Sequence, residues 1–355
     1  MIPPKKEKLI YVTPSLSSFV QNDLRILADR YYVVINTYRW DKKRLTPFFL
    51  IQQFFFLVKN IFNSQAIMVS FGGYWAFLPM LLGKLIGIKR FIILNGTDCA
   101  AIPSLHYGNL RKQPLKWFCK QSYKMATCLL PVSPSLVFTE NNYVSDQESR
   151  FQGFRYFFPG LRTPYRVVLN GCDPAFWTPI PNISRKPETF LTVFSDAQFY
   201  LKGGDLIVQL AERFRQCTFY VAGSRKPDFL KPPKNMIFLG RLSPEALRKQ
   251  YASCTFYLQL SVFEGFGCSL AEAMLCGCIP IGSAVNHIPA IIGEAGFIVR
   301  KKDFPEAETV LKRALETKDK AALAKKARKH IIENFSLEKR KQALFSLLEE
   351  YKISL

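Results

Sequence analysis

Two glutamates eight positions apart, Glu264 and Glu272, stand in the stretch FEGFGCSLAEAMLCG, Phe263 to Gly277. Gly265 and Gly267 flank Phe266 and let the backbone turn sharply and approach a ligand closely. If the preceding TFYLQLSVF is a strand and Ser269 to Cys276 a helix, the free N–H groups of Cys268, Ser269 and Leu270 stand at a helix N-terminus. Such a terminus binds phosphate without needing a metal. Glu264 then sits at the mouth and Glu272 about one turn into the helix. The two carboxylates can reach opposite ends of one elongated ligand, with a phosphate between a sugar and a ribose. A competing reading is local: Ser269-Leu270-Ala271-Glu272 fits a capping box, in which the glutamate satisfies a backbone N–H. That motif needs neither the glycines nor Glu264.

The elements that must hold these residues follow from periodicity. LIYVTP (Leu9 to Pro14) suits a buried strand, Phe19 to Arg30 an amphipathic helix, and YVVINTY a second strand. The alternation continues through AIMVSF, FLPMLLGKLIG, RFIILNG, PLKWFCKQSYKMA and CLLPVS. After the proline-rich DPAFWTPIPNISRKPE, read as an interdomain linker, a second series begins with FLTVFSD and a helix from Asp205 to Phe214. It runs on through CTFYVAGS, NMIFLGR, a helix opened by Ser243-Pro244-Glu245, TFYLQLSVF and IPIGS. From Pro305 the chain is helical and charged. Strands alternating with helices predict parallel sheets covered on both faces. The expected domains are residues 1–178, residues 179–335, and a C-terminal helix over 336–355 packing back on the first. In such sheets ligands bind beyond the carboxyl ends of the strands, where Glu264 lies.

A chain of 355 residues with 48% hydrophobic residues fits two packed cores and excludes a disordered polymer. The formal charge is +22, unevenly spread. Residues 1–178 hold 22 Lys+Arg against 9 Asp+Glu, net +13, and residues 179–355 hold 27 against 18, net +9. Between Lys84 and Lys124 there are eight basic residues and one acid, Asp98. The excess favours an anionic partner or, more plainly, a solubilising surface. The nine cysteines are scattered, several within apolar runs, which fits a reducing compartment. MIPPKKEKLIYV has neither a long apolar core nor a cleavage site, so no signal peptide is expected. Pro47 to Phe62 and Trp75 to Leu94 are both interrupted by polar or charged residues, so neither is expected to span a membrane.

Several segments carry a family resemblance. EGFGCSLAEAMLCGCIPIGS closely resembles the E-x7-E segment of retaining glycosyltransferase family 4. VVLNGCDPAFWTP, LKGGDLIVQLA and FLGRLSPEAL resemble further segments of that family in the same order, and NGTD and VSPSL do so more thinly in the first half. The resemblance implies the GT-B fold, an α/β architecture of two Rossmann-like, doubly wound domains facing a cleft, with C-terminal helices. It implies transfer of a sugar from a nucleotide-sugar donor with retention at the anomeric carbon. On this basis Glu264 holds donor-sugar hydroxyls, Gly265, Phe266 and Gly267 shape the sugar pocket, and Cys268, Ser269 and Leu270 flank the diphosphate. Glu272 binds the ribose, Gly223 and Arg241 join the donor site, and Lys202 is the phosphate-binding lysine. An ammonium beside helix amides suits the charge that builds as a nucleoside diphosphate departs. No D-x-D triplet occurs in the sequence, so neither a metal nor another cofactor is expected.

The sequence departs from that pattern at informative places. Asp196 stands where an arginine is common, with Arg241 or Arg225 as candidate replacements. Thr13 to Phe19 replaces a glycine-rich turn, leaving Ser17 and Ser18 either to face the cleft or to cap the following helix. Asn95 replaces an acceptor-side histidine and can hydrogen-bond a sugar hydroxyl. Asp98 becomes the expected acceptor-side catalytic group beside Glu264 and Lys202, with His106 in support. Asn286 and His287 occupy a loop where glycines are usual. RFQGFRYFFPGLRTPYR (Arg150 to Arg166) interleaves arginines with aromatics, which suits a membrane interface or packing of the aromatics in the first core.

The expected function is a glycosyltransferase of surface polysaccharide or glycolipid synthesis. It would act on a glycan or lipid-linked acceptor from the cytoplasmic side, peripheral on an anionic inner membrane face. The alternatives are a polyanion or nucleic-acid binder, which no recognised nucleic-acid motif supports, and a nucleotide-sugar epimerase.

Overall fold

A computed structural model describes residues 6–353. The chain divides into two compact units: 1–139 with 151–170 and 340–355, and 140–150 with 171–339. The segment read as a linker packs on the second unit. Trp177 is buried against the Tyr251 ring at 5.6 Å, and Arg328 donates to the carbonyls of Pro174 and Trp177. An apolar indole and capped carbonyls give those residues a fixed place.

In the first unit β1 (Glu7–Val12), β2 (Tyr31–Asn36), β3 (Ser64–Ser70), β4 (Lys89–Leu94) and β5 (Cys128–Pro131) form one parallel sheet in the order β2-β1-β3-β4-β5. Its central strands β1, β3 and β4 read as near-continuous apolar runs because both faces are covered. Leu9 to Val12, Ile67 to Val69 and Phe91 to Leu94 are essentially buried. The crossovers are α1 (Ser18–Ala28), α2 (Thr46–Ile61), α3 (Tyr74–Ile86) and α4 (Leu115–Met125). Right-handed connections in this strand order place α1 on one face and α2, α3 and α4 on the other. The apolar stretches weighed as spans are α2, and α3 followed by β4; no helix of the described residues is long and apolar enough to cross a membrane.

In the second unit β6 (Lys186–Val193), β7 (Thr218–Ala222), β8 (Met236–Gly240), β9 (Cys254–Gln259), β10 (Ile279–Ser283) and β11 (Phe297–Val299) form a parallel sheet ordered β8-β7-β6-β9-β10-β11. Phe190 stacks between Phe219 and Phe256 at its centre. The helices are α5 (Gly204–Arg213), α6 (Pro244–Ser253), α7 (Cys268–Leu275), α8 (Ile288–Ile292), α9 (Phe304–Glu316) and α10 (Lys320–Phe335). Ser243 caps α6 by accepting the Ala246 N–H at 3.2 Å, as its sequence predicts.

The last helix, α11 (Leu337–Ile353), contributes Arg340 to the first unit. There Arg340 meets Asp23 of α1 with two hydrogen bonds, of 2.5 and 2.7 Å, and also donates to the carbonyls of Val168 and Leu169. Both side chains are buried, so each charge depends on the other.

Candidate active site

Strand order reverses in the second unit between β6 and β9, and the loops leaving those neighbouring strands carry Lys202 and Glu264. This is the switch point at which an open parallel sheet forms a crevice. The two loops are joined by a hydrogen bond from the Val262 N–H to the Leu201 carbonyl at 2.8 Å. Gly203 sits in the left-handed region at φ +73°, and a Cβ there would stand 2.2 Å from the Leu260 carbonyl oxygen. Only glycine lets the two loops approach this closely.

The Lys202 Nζ reaches Glu264 Oε2 at 2.5 Å, and both side chains are largely buried. The same oxygen accepts from Gln259 Nε2 at 2.7 Å and Ser261 Oγ at 3.2 Å. The Glu264 backbone N–H donates to Asn286 Oδ1 at 2.9 Å. Gln259 is the hub: its Oε1 also accepts from the Tyr257 hydroxyl at 3.0 Å and the Ser269 hydroxyl at 3.4 Å. Residue types had pointed to Lys202 and Glu264, but Gln259, Ser261 and the bonding role of Asn286 were missed. The available signal was Gln259 itself, an amide in an otherwise apolar strand, where a buried polar group must find partners.

Helix α7 begins at Cys268, with Gly267 as its N-cap in the left-handed region and no side-chain capping bond. The capping-box alternative for Ser269 and Glu272 therefore does not hold: the Ser269 hydroxyl turns to Gln259, and a glycine with no side-chain acceptor opens α7. Phe266 is buried, and its ring lies 5.7 Å from His287. Burial lowers the His287 pKa, and its Nε2 and the Asn286 Nδ2 are buried without partners among the described residues. Glu272 is buried within α7. Burial pushes its carboxyl up to about 8, opposed in part by the Tyr251 hydroxyl.

The remaining donor-side residues lie at the same carboxyl edge. Gly223 follows β7, and its N–H donates to the Gly240 carbonyl at 2.7 Å. Asp196 follows β6 and is exposed, and its Oδ1 accepts from the Ser224 hydroxyl. Arg225 and Arg241 follow β7 and β8 and are exposed, and neither forms an ion pair among the described residues.

The first unit gathers Ser17, Ser18, Asn95 and Asp98 at the carboxyl ends of β1 and β4. Asp98, expected as an acceptor-side catalytic group, is corrected by its surroundings. It is fully buried, Oδ2 accepts from the Gly72 N–H at 2.9 Å, and Oδ1 accepts from those of Asn95 and Gly96 at 3.0 Å. Burial raises its carboxyl to about 6 against the pull of these amides. It braces two loops and presents no surface to an acceptor. Asn95 donates to the Ser70 hydroxyl and the Ile93 carbonyl, both at 3.1 Å, while its Oδ1 is buried without a partner among the described residues. Ser17 is the N-cap of α1 by position, but its hydroxyl makes no capping bond and is buried without a partner among the described residues; Ser18 is exposed in the first turn. His106 is exposed in a left-handed turn, φ +51°.

The Arg150 to Arg166 stretch takes the packed alternative in part, with Tyr156 and Tyr165 exposed. Phe154, Phe158 and Leu161 are buried, Arg150 pairs with Glu140, Arg166 pairs with Glu350, and Arg155 lies over the rings of Phe154 and Tyr165. Among the described residues no group of three or more His, Cys, Asp or Glu side chains gathers as a metal site would require.

Residues 190–317 match the family described as Glycosyl transferases group 1. The serotype-specific mannosyltransferase WbdA of Escherichia coli is 32% identical over 80 residues, 22% of this chain and 10% of that protein. The alpha-galactosylglucosyldiacylglycerol synthase of Streptococcus pneumoniae is 31% identical over 136 residues, 32% of this chain and 36% of that protein. The match thus spans about a tenth of the length of the first relative and about a third of the second. Among solved structures, sucrose-phosphate synthase from Thermosynechococcus elongatus has a TM-score of 0.77 at 14% identity, covering 99% of this chain and 100% of that one. Anabaena HepE in complex with UDP-glucose has a TM-score of 0.70 at 16% identity, covering 98% of this chain and 100% of that one. The fold is GT-B, with two Rossmann-like sheets and C-terminal helices.

Proposed function

We propose that the chain is a glycosyltransferase of the family 4 type. It would move a hexose from a nucleotide-sugar donor to a glycan or lipid-linked acceptor, with retention of anomeric configuration. The observation that carries this is the buried Lys202–Glu264 pair at the switch point of the second sheet, beside the glycine-led N-terminus of α7. The match of residues 190–317 to a glycosyltransferase family and the UDP-glucose bound to a structural neighbour support it. The mannosyltransferase and glycolipid-synthase relatives favour surface polysaccharide or glycolipid as the product.

The residues suggest how the reaction is served. In the free protein Glu264 Oε2 holds Lys202. A diphosphate arriving at the Cys268, Ser269 and Leu270 amides draws the ammonium to itself. Glu264, still held by Gln259 and Ser261, is released to accept donor-sugar hydroxyls. As the leaving diphosphate gains charge, Lys202 and the α7 amides stabilise it, each such donor contributing about 2.7–4 kcal/mol. Arg225 and Arg241, at the same strand edge, take over from the arginine that Asp196 replaces. Glu272 faces the ribose, and Gly265 to Gly267 bound the sugar. On the acceptor side the first unit offers Asn95, Ser17, Ser18 and His106. None of these steps calls on a metal, since the cation and helix amides supply the positive charge.

Thermal stabilisation by a panel of nucleotides and nucleotide sugars, with chelator present, tests the proposal. A donor at 100 times its dissociation constant adds about 2.7 kcal/mol. One nucleotide series should stabilise the natural protein but neither Lys202→Ala nor Glu272→Gln. Stabilisation of both variants to the same extent as the natural protein would overturn the site assignment.

A further inference from the structure

Helix α2 carries apolar residues on two opposite faces, and only one of them is covered. Phe49, Gln53, Leu57 and Ile61 turn inward, with Gln53 bonded to Asn36 Oδ1 at 2.9 Å and to the Trp75 carbonyl at 3.1 Å. About half a turn away, Phe48, Ile51, Phe55, Val58 and Phe62 recur at spacings of three and four and form a continuous outward stripe. Ile51 is 57% exposed, Phe55 66% and Phe62 59%. Helix folding inside this unit does not account for them, because the inward face alone anchors α2 to the sheet.

The charge around the stripe identifies what covers it. Between Asp41 and Glu140 the chain has 12 Lys+Arg and a single acid, Asp98, which is fully buried. The layer formed by α2, α3 and α4 therefore exposes cations without any acid from this stretch. Lys42, Arg44, Lys59, Lys84, Lys120 and Lys124 are all exposed. A second copy of the chain stacked face to face would bring cation against cation. A phenylalanine-rich stripe about 21 Å long, bordered by lysine and arginine, has the chemistry of a helix lying in the plane of an anionic bilayer.

We propose that the outer face of α2 docks the first unit onto an anionic lipid surface, with Phe48, Ile51, Phe55, Val58 and Phe62 entering the head-group boundary and the flanking cations meeting lipid phosphates. This assigns the docking role to α2 in place of the Arg150 to Arg166 stretch, where Phe154 and Phe158 are buried and three of the arginines are already engaged. The inference does not rest on the transferase reading, because vesicle binding is measured without donor or acceptor.

The test is co-sedimentation of the full chain with phosphatidylcholine vesicles, with and without phosphatidylglycerol, at low and high salt. The natural protein should sediment with the phosphatidylglycerol vesicles at low salt and be largely released at high salt. Ile51→Ser/Phe55→Ser should weaken partitioning by at least about tenfold while leaving the thermal midpoint and nucleotide stabilisation unchanged, since both side chains are exposed. Lys42→Glu/Lys59→Glu should weaken binding to the anionic vesicles alone. Absence of sedimentation of the natural protein at low salt, or undiminished binding by the serine variant, would overturn the proposal. So would a natural protein that self-associates through this face, losing its dimer but no vesicle binding in the serine variant.

Discussion

Glu272→Gln separates the cost of a buried carboxylate from its use. In the fold this carboxyl is pushed from the ordinary 4.5 up to about 8, first by burial. The folded protein then holds a proton that the unfolded chain has released between those two values. Stability contributed by this group falls as pH rises through that window and is level above it. At about 1.36 kcal/mol per pH unit, full ionisation inside the fold costs about 4–5 kcal/mol. Glutamine removes the ionisation and keeps the shape. The variant should match the natural protein near pH 4.5 and gain on it steadily up to about pH 8, by an amount approaching that figure. Urea unfolding across this range, with hydrogen exchange of α7 peptides as the local readout, measures the difference. Other titrating groups, such as Asp98, are common to both proteins and largely cancel. A difference that does not change with pH would refute the reasoning, and so would a variant destabilised at high pH. A variant that is more stable yet unresponsive to nucleotide would identify Glu272 as a residue kept for binding at the expense of stability.

Three further outcomes are expected. Arg340→Ala leaves the buried Asp23 carboxylate uncompensated and should cost about 3–5 kcal/mol, seen as loss of the first unit's unfolding midpoint in urea. Gly203→Ala introduces a Cβ where the Leu260 carbonyl stands. It should destabilise the second unit by more than about 1 kcal/mol and weaken nucleotide binding by displacing Lys202, both read in one thermal titration. Asn286→Ala strips the acceptor from the Glu264 N–H. It should cost about 1–3 kcal/mol in calorimetry and, through the shifted Glu264, change the ranking of donor sugars in a competition assay more than it changes binding of the bare nucleoside diphosphate.

Much of the architecture was legible in the sequence because its signals are local. Alternating apolar strands and amphipathic helices predict parallel sheets, and Ser243-Pro244 opens α6 where its cap chemistry says it should. The glycine-bracketed turn after β9 points to a ligand at a strand end, and the order of matching segments points to GT-B. What a one-dimensional pattern cannot carry is which polar atoms meet after folding. Lys202 and Glu264 are 62 positions apart, and their ion pair exists because β6 and β9 are neighbours in the sheet. Gln259 is an isolated amide in the sequence and a four-way junction in the fold. Asp98 is the lone acid of a basic stretch, and only burial against three amides turned it from a reactive group into a brace. The segment Arg150 to Arg166 was ambiguous for the same reason: composition gives aromatics and cations, but their exposure is settled by what packs against each face. Residue type and spacing determined the chemistry available to this protein, and long-range packing decided which groups are desolvated, paired or left open to use it.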